Sequence, residues 1–370
     1  MGKFPLTIVR TVVIIAIITV TLVAGCTKAV HTVTPDSTQT PATAPAPASK
    51  TVTDQAGRTV VLPYTVNKVV AVGAVPPINS FIQAIGEGDT IAEGVPASFD
   101  KSQWRYQFEI TPNIANLPVL QSSMTTPDNE AIMKVDPDVI FTTTPSMVSN
   151  LQITGIPVVC FSANTGSDVK DYMTLLGQVY NSPDKAKAYN QYLDDKISYV
   201  NEIVSSVPED QRPTVLYMTD PKTLHVPNAV CEEWIRVAGG ISVSALEHVG
   251  GNYQFNMEQL IRWNPDIIIV RYPDLLGDFY NDSRFSNLKA VKNKQIYSTP
   301  AGVQIWAGGT PEYPMMVQWA AKLFYPDRFK DLDMQKETVD FYAKFFNWNI
   351  TPERAQVILD GRILNESFKE

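Results

Sequence analysis

The side chains best equipped to recognise a ligand stand in three groups, Trp104-Arg105-Tyr106, Arg271-Tyr272 and Trp306. A ring beside a guanidinium can stack on a planar ligand or pair with an anionic one. Thr143 lies inside Thr142-Thr143-Thr144-Pro145, where hydroxyls can serve the same end. The plainer alternative makes Trp104 and Trp306 core anchors and Arg105 a surface charge. Catalysis has less to work with. No G-x-G-x-x-G follows a predicted strand, no G-x-S-x-G elbow occurs, and Gly308-Gly309 is too little to hold a dinucleotide. The chain has 3 histidines, His31, His225 and His248, and no triad forms around them. So few histidines also fit poorly with capture of bare zinc or manganese, whereas a chelated metal or an oxyanion fits better. A binding protein is expected, with no catalytic residue, cofactor or resident metal.

To converge, those groups need a scaffold, and the chain supplies one twice. Glu130-Ala-Ile-Met-Lys-Val-Asp-Pro137-Asp-Val-Ile-Phe leads into Thr-Thr-Thr-Pro145, and Glu258-Gln-Leu-Ile-Arg-Trp-Asn-Pro265-Asp-Ile-Ile-Ile leads into Val-Arg-Tyr-Pro273. Each copy reads as a short helix, a Pro that stops it, and an apolar run suited to a buried parallel strand. Between them, residues 183–207 place Tyr189, Leu193, Ile197, Val200, Val204 and Val207 in steps of three and four, the stripe of a long helix. Pro183 suits its first turn, behind Ser182 as a candidate cap. The expected fold class is α/β, with halves at 51–182 and 208–370 joined by the connecting helix 183–207. In open parallel sheets ligands meet the loops at the carboxyl ends of strands. That rule nominates 73–77, 142–145, 219–220, Arg271-Tyr272 and the loop around Trp306. Glu130 and Glu258 begin their helices, where the macrodipole stabilises a carboxylate by a few tenths to about 1 kcal/mol.

Ahead of these halves, Lys3 and Arg10 precede an uncharged apolar run, 11–22, that ends in Val23-Ala24-Gly25-Cys26. This is the pattern of an export signal, 1–25, and the run is shorter than the roughly 20 residues a bilayer core requires. The small residues before Cys26 resemble the lipobox of bacterial and archaeal lipoproteins, which implies that Cys26 becomes the lipidated first residue. Residues 26–50, nearly all Thr, Pro, Ala, Ser and Val, read as a tether, and His31 lies within it. A formal charge of −8 argues against nucleic acid and against docking on anionic lipid by charge. Cys160 and Cys231 sit in apolar settings that suit buried free thiols, with a single bridge between them left open.

The motif Asp54-x-x-Gly57-Arg58-x-Val60-x-x-Pro63, the Val-rich run after Lys68, a helix ending near Ile85-Gly86 and Glu130-x-Ile132-x-x-x-x-Pro137-Asp138 together resemble the substrate-binding proteins of ABC importers for iron complexes, haem and cobalamin. The resemblance spans about residues 51–359. It implies two Rossmann-like lobes bridged by one long helix, with the ligand in the cleft between them. It also implies a permease and its ATPase as partners. Glu130 and Glu258 match, position by position, the glutamates that such proteins present, one per lobe, to permease arginines. The expected product is a lipid-anchored monomer on the extracytoplasmic face of the membrane that captures a ferric siderophore, haem or corrinoid. Haem would need an axial ligand, from Tyr106, Tyr272 or His225. The alternative ligand is molybdate or tungstate, which wants amides, hydroxyls and an Arg but no large aromatic floor. A two-lobed extracellular sensor shares all these features.

Overall fold

The chain's most apolar runs form two parallel sheets. In the first, the central strand Val139–Thr142 lies between Val69–Val72 and Val158–Cys160. In the second, the order is Ile241–Ser242, Thr214–Met218, Ile267–Val270 and Ile296–Ser298. The computed structural model describes residues 48–97, 99, 104–221, 224–226, 230–249 and 253–362. The export signal, Cys26, His31 and the tether up to residue 47 lie outside the described residues. Ser49 and Lys50, read above as the end of the tether, instead open the strand Ser49–Thr53, which pairs antiparallel with Thr59–Pro63.

Both central strands are buried along their whole length. Strand alternation sorts their side chains into layers. Val139 and Phe141 of the first sheet, with Val215, Tyr217, Ile267 and Ile269 of the second, face one core that runs through both lobes. Ile140 joins a separate layer behind the first sheet, and Ile268 and Val270 join one behind the second. Parallel strands covered on both faces read as continuous apolar runs, which explains why each repeat copy lacks a polar face.

The Pro-Asp pair of each copy has a structural task. The preceding helices, Asn129–Val135 and Met257–Trp263, end on Asp136 (φ 52°) and Asn264 (φ 42°), left-handed positions that these two residue types tolerate. After the Pro, Asp138 Oδ2 accepts from the amides of Asn67 (2.7 Å) and Lys68 (3.0 Å), just ahead of the neighbouring strand. Asp266 Oδ2 does the same for Thr214, accepting from its amide and its hydroxyl, both at 2.8 Å. Burial opposes ionisation of Asp266, but Lys289 and Thr214 together hold its carboxyl below the usual aspartate value. The Asp54-Arg58 motif is structural too. Asp54 Oδ2 accepts from the Cys160 amide (3.0 Å), and Arg58 donates to the Val158 carbonyl (3.0 Å), fastening the amino-terminal hairpin to the first sheet.

The connecting helix runs Pro183–Val204, 22 residues, or about 33 Å at 1.5 Å per residue. It ends before Val207, which is buried in the turn that follows. Tyr189, Leu193, Val200 and Val204 are buried in the common core, and Tyr192, Ile197 and Ile203 pack partly against it. Ser182 does not cap this helix; its hydroxyl donates to the Tyr180 carbonyl instead (3.2 Å). Helices Tyr313–Phe324, Met334–Phe346 and Pro352–Leu359 close the described chain. Cys160 and Cys231 are both buried, and no disulfide joins them.

Candidate functional site

In the first lobe the loop after Val69–Val72 is shorter than expected, because Val75, Pro76 and Pro77 already belong to the helix Val75–Ala84. What remains is Gly73 and Ala74. Gly73 has φ 96°, and a Cβ there would lie 3.4 Å from Thr144 Oγ1 and 3.7 Å from Thr142 Oγ1. Gln121, buried, clamps this glycine from behind: its Oε1 accepts from the Gly73 amide (2.7 Å) and its Nε2 donates to the Gly73 carbonyl (2.9 Å). Thr142 Oγ1 in turn accepts from the Thr144 amide (3.2 Å). Gly73, Thr142 and Thr144 therefore converge, with Thr143 half-buried between the two threonines.

In the second lobe Arg271 and Tyr272 follow Ile267–Val270 directly, both half-buried, with the guanidinium 5.2 Å from the ring centroid. Thr299, after the neighbouring strand, donates its hydroxyl to the Arg271 carbonyl (3.1 Å). The loops of the two lobes touch. A Cβ on Gly309 would fall 1.4 Å from the Ala163 carbonyl oxygen, so only glycine allows this approach. Among the described residues no cluster of three or more His, Cys, Asp or Glu side chains could hold a metal ion.

The aromatic candidates fall elsewhere. Trp104-Arg105-Tyr106 is not an irregular stretch, since Trp104 precedes the helix Arg105–Ile110. Trp104 is buried, edge-on to Phe99 at 6.4 Å. Tyr106 is buried against Trp348, with ring centroids 4.9 Å apart, and burial pushes its phenol up to about 12. Arg105 pairs with Glu109 (3.3 Å), which also accepts from Arg354 (2.8 Å). The trio thus belongs to a seam between the first lobe and the carboxyl-terminal helices. Trp306 has no exposed surface, and its Nε1 donates to the Tyr342 hydroxyl (3.1 Å). The rings of Trp104, Tyr106 and Trp306 are all buried in the common core. His225 lies in the two-residue strand His225–Val226, and His248 is exposed.

Glu130 and Glu258 are each the second residue of their helix and are exposed. Asp128 and Asn256 cap these helices, accepting from the Ala131 and Gln259 amides, both at 2.9 Å. Each helix leads back toward the start of its central strand, so its first turn lies at the strand-end side of its lobe. Contacts agree with this. Asp128 bonds to Leu120, which precedes the Gln121 that holds Gly73, and Phe255 bonds to Leu224, which bonds to Asp220 at the end of Thr214–Met218. A polar groove of about 600 Å³ lined by Gln121, Asp128, Asn129 and Asn150 borders Glu130.

Glu93 and Glu312 are buried carboxyls of the core. Burial pushes Glu312 up to about 7 against the hydrogen bond from the Gln304 amide (2.8 Å), and pushes Glu93, beside the Ala71 backbone and Asn79, up to about 8. Unfolded glutamate titrates near 4.3, so the unfolded chain holds fewer protons through this window. Their stabilising effect is therefore complete below about pH 4.3 and is lost as pH rises through 7 and 8. The urea midpoint should fall between pH 5 and pH 8.5 by the equivalent of a few kcal/mol. Glu93→Gln should flatten the profile. A wild-type midpoint that rises over that range would contradict the assignment.

A model of the family described as periplasmic binding protein matches residues 94–303. The molybdate-binding protein MolA of Haemophilus influenzae is 26% identical over 337 residues, 83% of this chain and 94% of that protein. A periplasmic solute binding protein from Veillonella parvula superposes with a TM-score of 0.73 at 28% identity, covering 84% of this chain and 96% of its own. The structure of MolA bound to molybdate gives 0.72 at 22% identity, with 82% and 99% covered.

Proposed function

Because the chain belongs to the periplasmic binding protein family, we propose that it captures a tetrahedral metal oxyanion of the molybdate type at its strand-end loops and delivers it to an ABC permease. The observation that carries this reading is the make-up of those loops. The first lobe offers the hydroxyls of half-buried Thr143 and Thr144, the latter beside Gly73, and the second offers the half-buried Arg271 guanidinium. Hydroxyls and a guanidinium suit a small oxyanion. Trp104 and Trp306, the rings that would floor a macrocycle, are buried. Similarity to MolA over most of both chains agrees with this choice. A metal complex is the second reading, supported by the half-buried Tyr272 with Arg271 beside its ring, a surface that a planar or anionic chelate could use.

In this reading Cys26 carries the lipid and 26–48 is the leash, so the binding body works at the extracytoplasmic face. Glu130 and Glu258 are the contacts for the permease. Titrating purified protein with molybdate, tungstate, sulfate and haem by calorimetry, with metal analysis and an absorption spectrum of the protein as isolated, tests the ligand. Saturable binding of molybdate or tungstate, weakened about 10-fold or more by Arg271→Ala, is the expected result. A Soret band, or metal that elutes only as an organic chelate, would decide for the second reading.

A further inference from the structure

One carboxylate joins the two lobes. Glu233, on the second-lobe helix Val230–Val237, accepts through Oε2 from the Gly166 amide (2.7 Å) and from the Tyr313 hydroxyl (2.7 Å). Gly166 is the first residue of the first-lobe helix Gly166–Val179. That helix is already capped by its own chain, since Thr165 Oγ1 accepts from the Asp168 amide (3.0 Å) and the Asp168 carboxylate accepts from the Thr165 amide (3.1 Å). The Gly166 amide is a donor left over from this arrangement, and its acceptor comes from the other lobe. Two glycines mark the same seam. A Cβ on Gly166 would lie 2.7 Å from the Tyr313 ring, and Gly309 meets the Ala163 carbonyl three residues before Gly166. Helix amide, phenol and two bare backbones thus meet beside the loop that follows Val158–Cys160.

We infer that Glu233 is a positioning residue for capture: it clasps the first lobe's 162–166 loop to the second lobe and so fixes how far apart the two halves of the site stand. The inference rests on the solute-binding reading above, and its test has one arm that needs no ligand. Spin labels at Ser146→Cys and Asp274→Cys, exposed positions after the two central strands, report the spacing of the lobes by pulsed electron resonance in the ligand-free protein. Glu233→Ala should give a longer and broader distance distribution. Tyr313→Phe, which keeps the Gly166 contact and the ring, should give an intermediate one. Molybdate dissociation, followed by stopped-flow fluorescence, should be about 10-fold faster in Glu233→Ala with the association rate nearly unchanged. An unchanged distance distribution, or a changed one with wild-type dissociation, overturns the positioning role. Wild-type protein that ignores molybdate overturns only the choice of ligand, and the distance measurement still decides the clasp.

Discussion

Cells that carry Glu130→Arg together with Glu258→Arg should lose uptake of the solute, while the purified double variant binds it with wild-type affinity. Both carboxylates are exposed on the first turns of short helices at the strand-end side of their lobes. Reversing the charge there costs the helix only a few tenths to about 1 kcal/mol, so the variants should fold. Facing a cationic partner, the same change is larger. A carboxylate about 4 Å from a guanidinium gains on the order of 4 kcal/mol gross at an effective dielectric of 20, part of which desolvation removes, and an Arg replaces that gain with repulsion. Each single variant should lower uptake about 10- to 100-fold, and raised salt should weaken docking of the wild type. Normal transport by the double variant would remove these residues from the interface.

Trp306→Ala should be the most destabilising single change. The ring is fully buried in the common core, and its indole N–H donates to Tyr342, whose hydroxyl also reaches Glu312 Oε1 at 3.3 Å. Truncating a buried Trp costs about 3–5 kcal/mol through lost transfer energy and the cavity left behind. Trp306→Phe keeps most of the apolar volume but leaves Tyr342 one donor short, a loss of about 1–3 kcal/mol. Urea denaturation reads both, and the Phe variant should bind solute as the wild type does. An Ala variant of unaltered stability that no longer binds would return Trp306 to the ligand site.

The scaffold was legible because its signals are local. A Pro behind a short amphipathic turn, an all-apolar run of four, and a stripe spaced by three and four can each be read within a dozen residues. They gave the two sheets and a connecting helix that ends three residues sooner than expected. The ligand face was legible only in part. An aromatic beside an Arg looks the same whether it lines a cleft or fills a seam, and the difference for Tyr106 is made by Trp348 and Arg354, far along the chain. Glu233 gave no signal at all, since its partners lie 67 and 80 residues away. Gly309 could have been suspected, because a glycine pair in a loop often marks a close backbone approach.

The paired aspartates carry a meaning beyond fastening. Apolar alternation normally tells a strand which alignment is right, since slipping by one residue turns its faces over. Val139–Thr142 and Ile267–Val270 are buried on both faces, so greasiness alone scarcely distinguishes one alignment from the next. Asp138 and Asp266 each recognise particular polar groups at the start of the adjacent strand. They supply the proofreading that an undifferentiated hydrocarbon strand lacks.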